Sequence, residues 1–104
     1  MATKYFQSSV NRGWILKLLR VYFTTFNDEE YDEIKRELEK LCDRIVEHES
    51  TIKEFKYLEL YGPTANPEYV ANLIKRVLGE ECYVRVDEIE IIVPKNSRIV
   101  GHNI

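Results

Sequence analysis

Basic side chains are concentrated at the two ends of the chain, a pattern typical of surfaces that contact phosphate. Residues 1–26 carry four cations and no acid, and residues 94–104 carry two cations. Such clusters attract polyanions, and aromatic rings between them can stack on bases. The candidate nucleic-acid contacts are Lys4, Arg12, Lys17, Arg20, Lys95 and Arg98. The alternative is that these ends lie against acidic surface of the same chain or of a second copy.

Acidic residues cluster where a helix is predicted to begin, and such a cluster could indicate a metal site. They are Asp28, Glu29, Glu30, Asp32 and Glu33. No glycine-containing ligand loop spaces them, and the helix dipole favours carboxylates in a first turn, so we predict no metal there. His48 lies between Glu47 and Glu49, but neighbouring helical residues point in different directions. We therefore predict a structural role for His48.

No constellation in the sequence indicates an enzyme. The chain has no nucleophile–base pair, phosphate-binding loop or dinucleotide motif. Cys42 and Cys82 are predicted to be buried thiols that pack as small apolar groups, and a single disulfide bridge is the alternative. The sequence therefore predicts no catalytic residues, no cofactor and no metal.

The composition is that of a soluble globular protein with one domain. The chain has 104 residues, 44% apolar and 32% charged, which is enough to bury one core. A net charge of −3 excludes a uniformly basic nucleic-acid binder.

The longest apolar stretch, residues 14–26, is interrupted by Lys17 and Arg20 and is too short to span a bilayer. With no apolar signal segment at the start, we predict a cytoplasmic protein without membrane contact, and an excess of Glu over Asp hints at a thermophilic source.

Four segments have the hydrophobic patterns of regular elements. Residues 14–26 are rich in β-branched and aromatic side chains and predict a strand, although a stripe at helical spacing also fits. An asparagine N-cap and apolar residues at helical spacing predict a helix over residues 28–48. Residues 52–61 predict a second strand, and residues 67–78 predict a second helix between a proline start and a glycine stop.

Residues 82–93 contain two apolar alternations in opposite phase. A hairpin with a loop at Asp87 and Glu88 would place both alternations on one face and would pair Arg85 with Glu90. One long strand with a bulge near Asp87 is the alternative. We predict the hairpin.

Together the elements predict an α+β protein of two layers, a small mixed sheet with two helices on one face. The predicted order is β-α-β-α-β-β in a single domain of residues 1–104. Residues 1–13 would be an arm or an extra N-terminal edge strand, and residues 94–104 a basic tail. This order resembles that of the Alba chromatin proteins and of the C-terminal domain of the third bacterial initiation factor, both nucleic-acid binders. The resemblance is one of topology, and no run of residues matches their basic loops.

The predicted function follows from the sheet face that the helices leave bare. The chain has seven Tyr, four Phe and one Trp, more aromatic residues than a core of this size requires. We predict a small non-enzymatic binding protein that forms a homodimer or binds a protein partner. The alternative is a nucleic-acid-binding accessory protein that contacts phosphate through its basic termini.

Overall fold

Four strands and two helices follow one another in the part of the chain that the structure describes, residues 14–93 of a computed structural model. They are β1 (Trp14–Thr24), α1 (Asp28–Glu39), β2 (Arg44–His48), β3 (Phe55–Tyr61), α2 (Pro67–Leu78) and β4 (Val84–Val93). The predictions for residues 1–13 and 94–104 lie outside the described residues. The predicted α+β class with two helices and four strands is confirmed, and the observed order is β-α-β-β-α-β.

The strands form one antiparallel sheet in the order β2-β3-β1-β4. In β1 and β3, Leu19 lies opposite Leu60 and Val21 lies opposite Leu58. Each helix connects two strands that have a third strand between them, which is the split β-α-β arrangement. The predicted mixed sheet is wrong because β2 and β3 form a hairpin before α2, so no two neighbouring strands run parallel. The resemblance in element order to the two nucleic-acid-binding families does not extend to this arrangement.

The hydrophobic core lies between the sheet and the two helices. Alternate residues of β1 and β3 point into it, and each helix adds one apolar stripe. The fully or nearly buried members are Leu19, Val21, Phe23, Ile34, Leu38, Leu58, Leu60, Val70, Leu73 and Ile74. Both helices therefore pack on one face of the sheet, as predicted. Leu18 is also buried, but it lies on the opposite face.

The first helix is shorter than the sequence predicts. α1 ends at Glu39, and residues 44–48 form a strand rather than the last turns of the predicted helix. The backbone N–H of Asp43 donates to the carbonyl of Tyr61 at 2.8 Å, which turns the chain into β2. Ile45 packs against the core from this strand, as it would from a helix. The apolar spacing therefore fitted both structures, and the β-branched pair at positions 45 and 46 was the signal for a strand.

The last strand replaces the predicted hairpin. Val84–Val93 is one continuous strand, which agrees with the single long strand of the alternative interpretation. The bulge near Asp87 in that alternative stays a prediction. Val84 and Val86 pack against the core, and strand alternation places the half-buried Ile89 on the opposite face. The hairpin prediction is wrong because the two apolar phases serve two different faces. α2 has the predicted bounds.

The chain divides into two compact units. One unit is Leu18–Ile89, which contains both helices and the core. The other contains residues 14–17 and 90–93 among the described residues, and there the Lys17 ammonium lies 3.8 Å from the Glu90 carboxylate. The single-domain organisation stays a prediction.

Candidate functional site

The sheet face opposite the helices carries an unusual concentration of aromatic and charged side chains. We call it the open face, and within residues 14–93 no helix packs on it. Cross-strand register places the members in rows, because partners in neighbouring antiparallel strands project to the same side. Its polar and aromatic members are Arg20, Tyr22, Arg44, His48, Phe55, Tyr57, Glu59, Tyr61, Tyr83, Arg85 and Asp87.

Glu59 lies at the centre of the open face and is only 8% exposed. Its Oε1 accepts from Nε2 of His48 at 2.9 Å and from the Tyr61 hydroxyl at 3.1 Å. Its Oε2 accepts from Nε of Arg20 at 3.2 Å and from the Tyr57 hydroxyl at 3.1 Å. The donors come from three strands, so this one carboxylate connects β1, β2 and β3 above the sheet.

These hydrogen bonds determine the ionisation of the groups around Glu59. Burial raises the pKa of the Glu59 carboxyl, but the four donors outweigh it and hold that pKa below its usual value. Burial and the hydrogen bond to Glu59 raise the pKa of Tyr57 to about 12. The hydrogen bond to Glu59, with burial, also raises the pKa of Tyr61. At neutral pH the carboxylate is ionised and both tyrosines keep their protons.

Three rings form a stacked column across the sheet. The His48 and Tyr57 ring centroids are 4.3 Å apart at an interplanar angle of 18°. The Tyr57 and Tyr22 centroids are 4.8 Å apart at 14°. The guanidinium of Arg85 lies 6.0 Å from the Tyr22 centroid at the other end. The column exists because His48, Tyr57 and Tyr22 are direct partners in the register of β2, β3 and β1.

Further rings and cations flank the column on both sides. Arg44 lies over the Tyr61 ring at 5.2 Å from its centroid, a cation–π distance. Phe55 tilts against Tyr22 at 6.1 Å and against Tyr83 at 6.2 Å. Tyr83 is 48% exposed. The open face thus combines aromatic surface with arginine, which is the composition of recognition surfaces.

Charge is distributed unevenly between the two sides of the sheet. The open face carries three arginines and two carboxylates, those of Glu59 and Asp87. On the helical side, α1 alone carries seven acidic and two basic residues. These groups therefore leave a strongly negative charge on α1 and a small positive excess on the open face.

Of the six cations predicted to contact nucleic acid, the structure brings one into the candidate site. Arg20 lies at its centre, whereas Lys17 faces Glu90 in the other compact unit. The other four, Lys4, Arg12, Lys95 and Arg98, lie outside the described residues. Sequence reasoning missed His48, which ends β2 instead of extending a helix, so the predicted purely structural role no longer follows from its position.

Three residues of β3 left a signal in the sequence. Tyr57, Glu59 and Tyr61 alternate with the buried Leu58 and Leu60, so they had to share the face away from the core. Arg85 left a similar signal, because it alternates with Val84 and Val86, whereas Arg44 left none because residues 44–48 were predicted as helix. The missed members are therefore those whose position depends on the corrected elements.

The two cysteines are free thiols, so the alternative of a disulfide bridge is wrong. Both are half-buried, and burial raises the pKa of each thiol. Within residues 14–93 no group of three His, Cys, Asp or Glu side chains is arranged to hold a metal ion. The chemistry that the open face offers is therefore stacking, hydrogen bonding and ion pairing.

Comparison with known proteins gives no relative for this chain: no family model, no curated protein and no solved structure matches it. Neither described helix is long and apolar enough to cross a membrane. Among the described residues, the open face is therefore the candidate binding surface.

Proposed function

We propose that the protein binds single-stranded nucleic acid on its open face. The observation that carries the proposal is the ring column, which ends in His48 on the edge strand β2. Tyr57 covers one face of the imidazole and the Nε2 edge bonds Glu59, and 37% of the His48 side chain is exposed. A base that stacks on the exposed part of the ring continues the column.

The arginines of the open face supply the phosphate contacts. Arg44 lies four residues before His48 on the same side of β2, about 13 Å along the strand. The side chains of Arg20 and Arg85 are 39% and 64% exposed, so both keep N–H groups available to a ligand beyond their bonds to Glu59 and Asp87. Nucleic acid that stacks on His48 thus runs past guanidinium groups on the same face.

The geometry favours a single strand over a duplex. Ring-on-base stacking needs bases that are not already stacked and paired, and a broad sheet face does not enter a groove as a helix does. The open face offers aromatic rings and arginines, and every nucleotide has a base that can stack and a phosphate that can pair with them. A single strand is therefore the ligand that uses both features of the face at once.

A second candidate function keeps the homodimer or protein partner predicted from the sequence. Leu16 and Ile91 are each 38% exposed and Ile92 is 59% exposed, and the last two lie on the edge strand β4. Apolar residues on an edge strand favour pairing with another chain. The non-enzymatic role and the cytoplasmic location stay predictions.

Fluorescence anisotropy with a labelled 12-nucleotide RNA of mixed sequence tests the proposal. We expect binding at low salt to the single strand and much weaker binding to the matching duplex. The His48→Ala variant should bind about tenfold more weakly, because a stacked base contributes roughly 1–3 kcal/mol. Tyr69→Ala is the matched control, since Tyr69 is a 49% exposed ring on the helical side.

Equal binding by the wild type and His48→Ala would contradict the proposal, as would equal loss in both variants. Circular dichroism establishes that each variant is folded before it is titrated. With three arginines engaged, the logarithm of the association constant should fall with the logarithm of salt concentration at a slope of about −2.

A further inference from the structure

The carboxylate of Glu59 is fully used by the protein and is not available to a ligand. An ionised carboxylate has about four acceptor positions and no proton to donate. Two donors reach each oxygen, from Arg20 and Tyr57 on one side and from His48 and Tyr61 on the other. Glu59 therefore acts on any ligand through the groups that it orients.

Glu59 fixes the direction of the tyrosine hydroxyl groups. Each hydroxyl has one proton and two acceptor lone pairs. Because the ionised carboxylate can only accept, the protons of Tyr57 and Tyr61 point toward Glu59, and their lone pairs are left for a ligand. His48 also directs an Nε2 proton to Glu59, since the ionised carboxylate has no proton to give. The centre of the open face thus offers hydrogen-bond acceptors.

Given the proposed function, on which this inference rests, we propose that the open face selects bases that carry an exocyclic amino group. Adenine and cytosine present an amino group as donor, which matches the hydroxyl oxygens of Tyr57 and Tyr61. Uracil presents carbonyl oxygens at the corresponding positions, and these face the tyrosine lone pairs unfavourably. Glu59 is the positioning residue that creates this preference.

Cytosine and uracil make the sharpest comparison because the two pyrimidines have the same size and similar stacking surfaces. The probes are labelled 12-nucleotide oligo(rC) and oligo(rU), titrated with the full chain at one salt concentration. We expect oligo(rC) to bind about tenfold more tightly, the effect of one or two matched hydrogen bonds per site. Oligo(rA) should also bind more tightly than oligo(rU), because adenine, like cytosine, carries an amino group.

The Glu59→Gln variant tests the role of the carboxylate directly. The glutamine amide has an NH2 group in place of one oxygen, so the two donors to that oxygen lose their acceptor. In either orientation of the amide, one of these two donors is a tyrosine, whose proton is then free to turn outward. The preference for oligo(rC) over oligo(rU) should fall to about twofold or less. Glu47→Gln is the matched control, because Glu47 accepts from the Tyr31 hydroxyl at 2.8 Å on the helical side.

A second variant keeps the test decisive if Glu59→Gln does not fold. Tyr61→Phe removes one outward acceptor and leaves Glu59 in place, so it should reduce the same ratio, while Tyr31→Phe should not. Equal affinity of the wild type for oligo(rC) and oligo(rU), with binding still weakened by His48→Ala, overturns this inference and leaves the proposed function standing. Binding to none of the oligonucleotides overturns both.

Discussion

At Glu59 the cost of burying a charge is offset by hydrogen-bond donors from three strands. Unpaired buried carboxylates are expensive, and they ordinarily become protonated. Here Arg20, His48 and two tyrosines reach the two oxygens, and no buried side-chain N or O atom in the described part of the chain lacks a partner. The sequence could place Glu59 on the outer face with Tyr57 and Tyr61, but it could not bring Arg20 there, which lies 39 residues away. Only the sheet register brings them together.

The same residue makes the free energy of unfolding depend on pH in the acid range. The carboxyls of Glu59 and Glu47 both have folded pKa values below their usual 4.5. Such groups contribute stability that is present above the unfolded pKa and is lost as pH falls through the lower folded pKa. The free energy of unfolding, measured by urea denaturation, should therefore decrease from about pH 4.5 downward. Glu59→Gln should show a shallower decrease, and parallel curves for the two proteins would contradict the network around Glu59.

At the scale of elements, the sequence predicts helix ends that depend on local residues well, and it predicts the pairing of strands poorly. α2 has the predicted bounds because Asn66 and Pro67 begin it and Gly79 ends it, all of which are local effects. α1 begins at its predicted Asn27 cap but ends early, because residues 44–48 gain more by pairing with β3. That gain depends on residues far along the chain, so periodicity alone could not reveal it. The same limit applies to β4. Its two apolar alternations can be assigned to opposite faces of the sheet only when the neighbouring strands are known.

Truncation of a core residue on α1 tests the packing of this element. Leu38 is fully buried in the cluster that joins α1, α2 and the sheet. Leu38→Ala should reduce the free energy of unfolding by about 2–5 kcal/mol, because it removes buried methyl groups and leaves a cavity. Ile52→Ala is the control, since Ile52 is 61% exposed and its truncation should cost little. Equal melting temperatures for the two variants would contradict the described core.

At the scale of the whole molecule, the net charge of −3 conceals two surfaces of opposite character. The sequence correctly showed that acidic residues concentrate in one helix, and it excluded a uniformly basic surface. It placed the compensating cations at the termini, however, whereas the described structure gathers Arg20, Arg44 and Arg85 on the open face. Arg44 and Arg85 were missed because their strands pair in an order that local patterns do not determine.

The central claim is that single-stranded nucleic acid occupies the open face, and aromatic carbon–proton NMR spectra test it most directly. The account predicts that titration with single-stranded RNA shifts the ring resonances of His48, Tyr57 and Tyr22. The ring of Tyr31 should not shift, because it packs against Phe23 on the helical side at 6.1 Å between centroids. Changes centred on Tyr31, or unchanged rings on the open face at saturating RNA, would contradict the account.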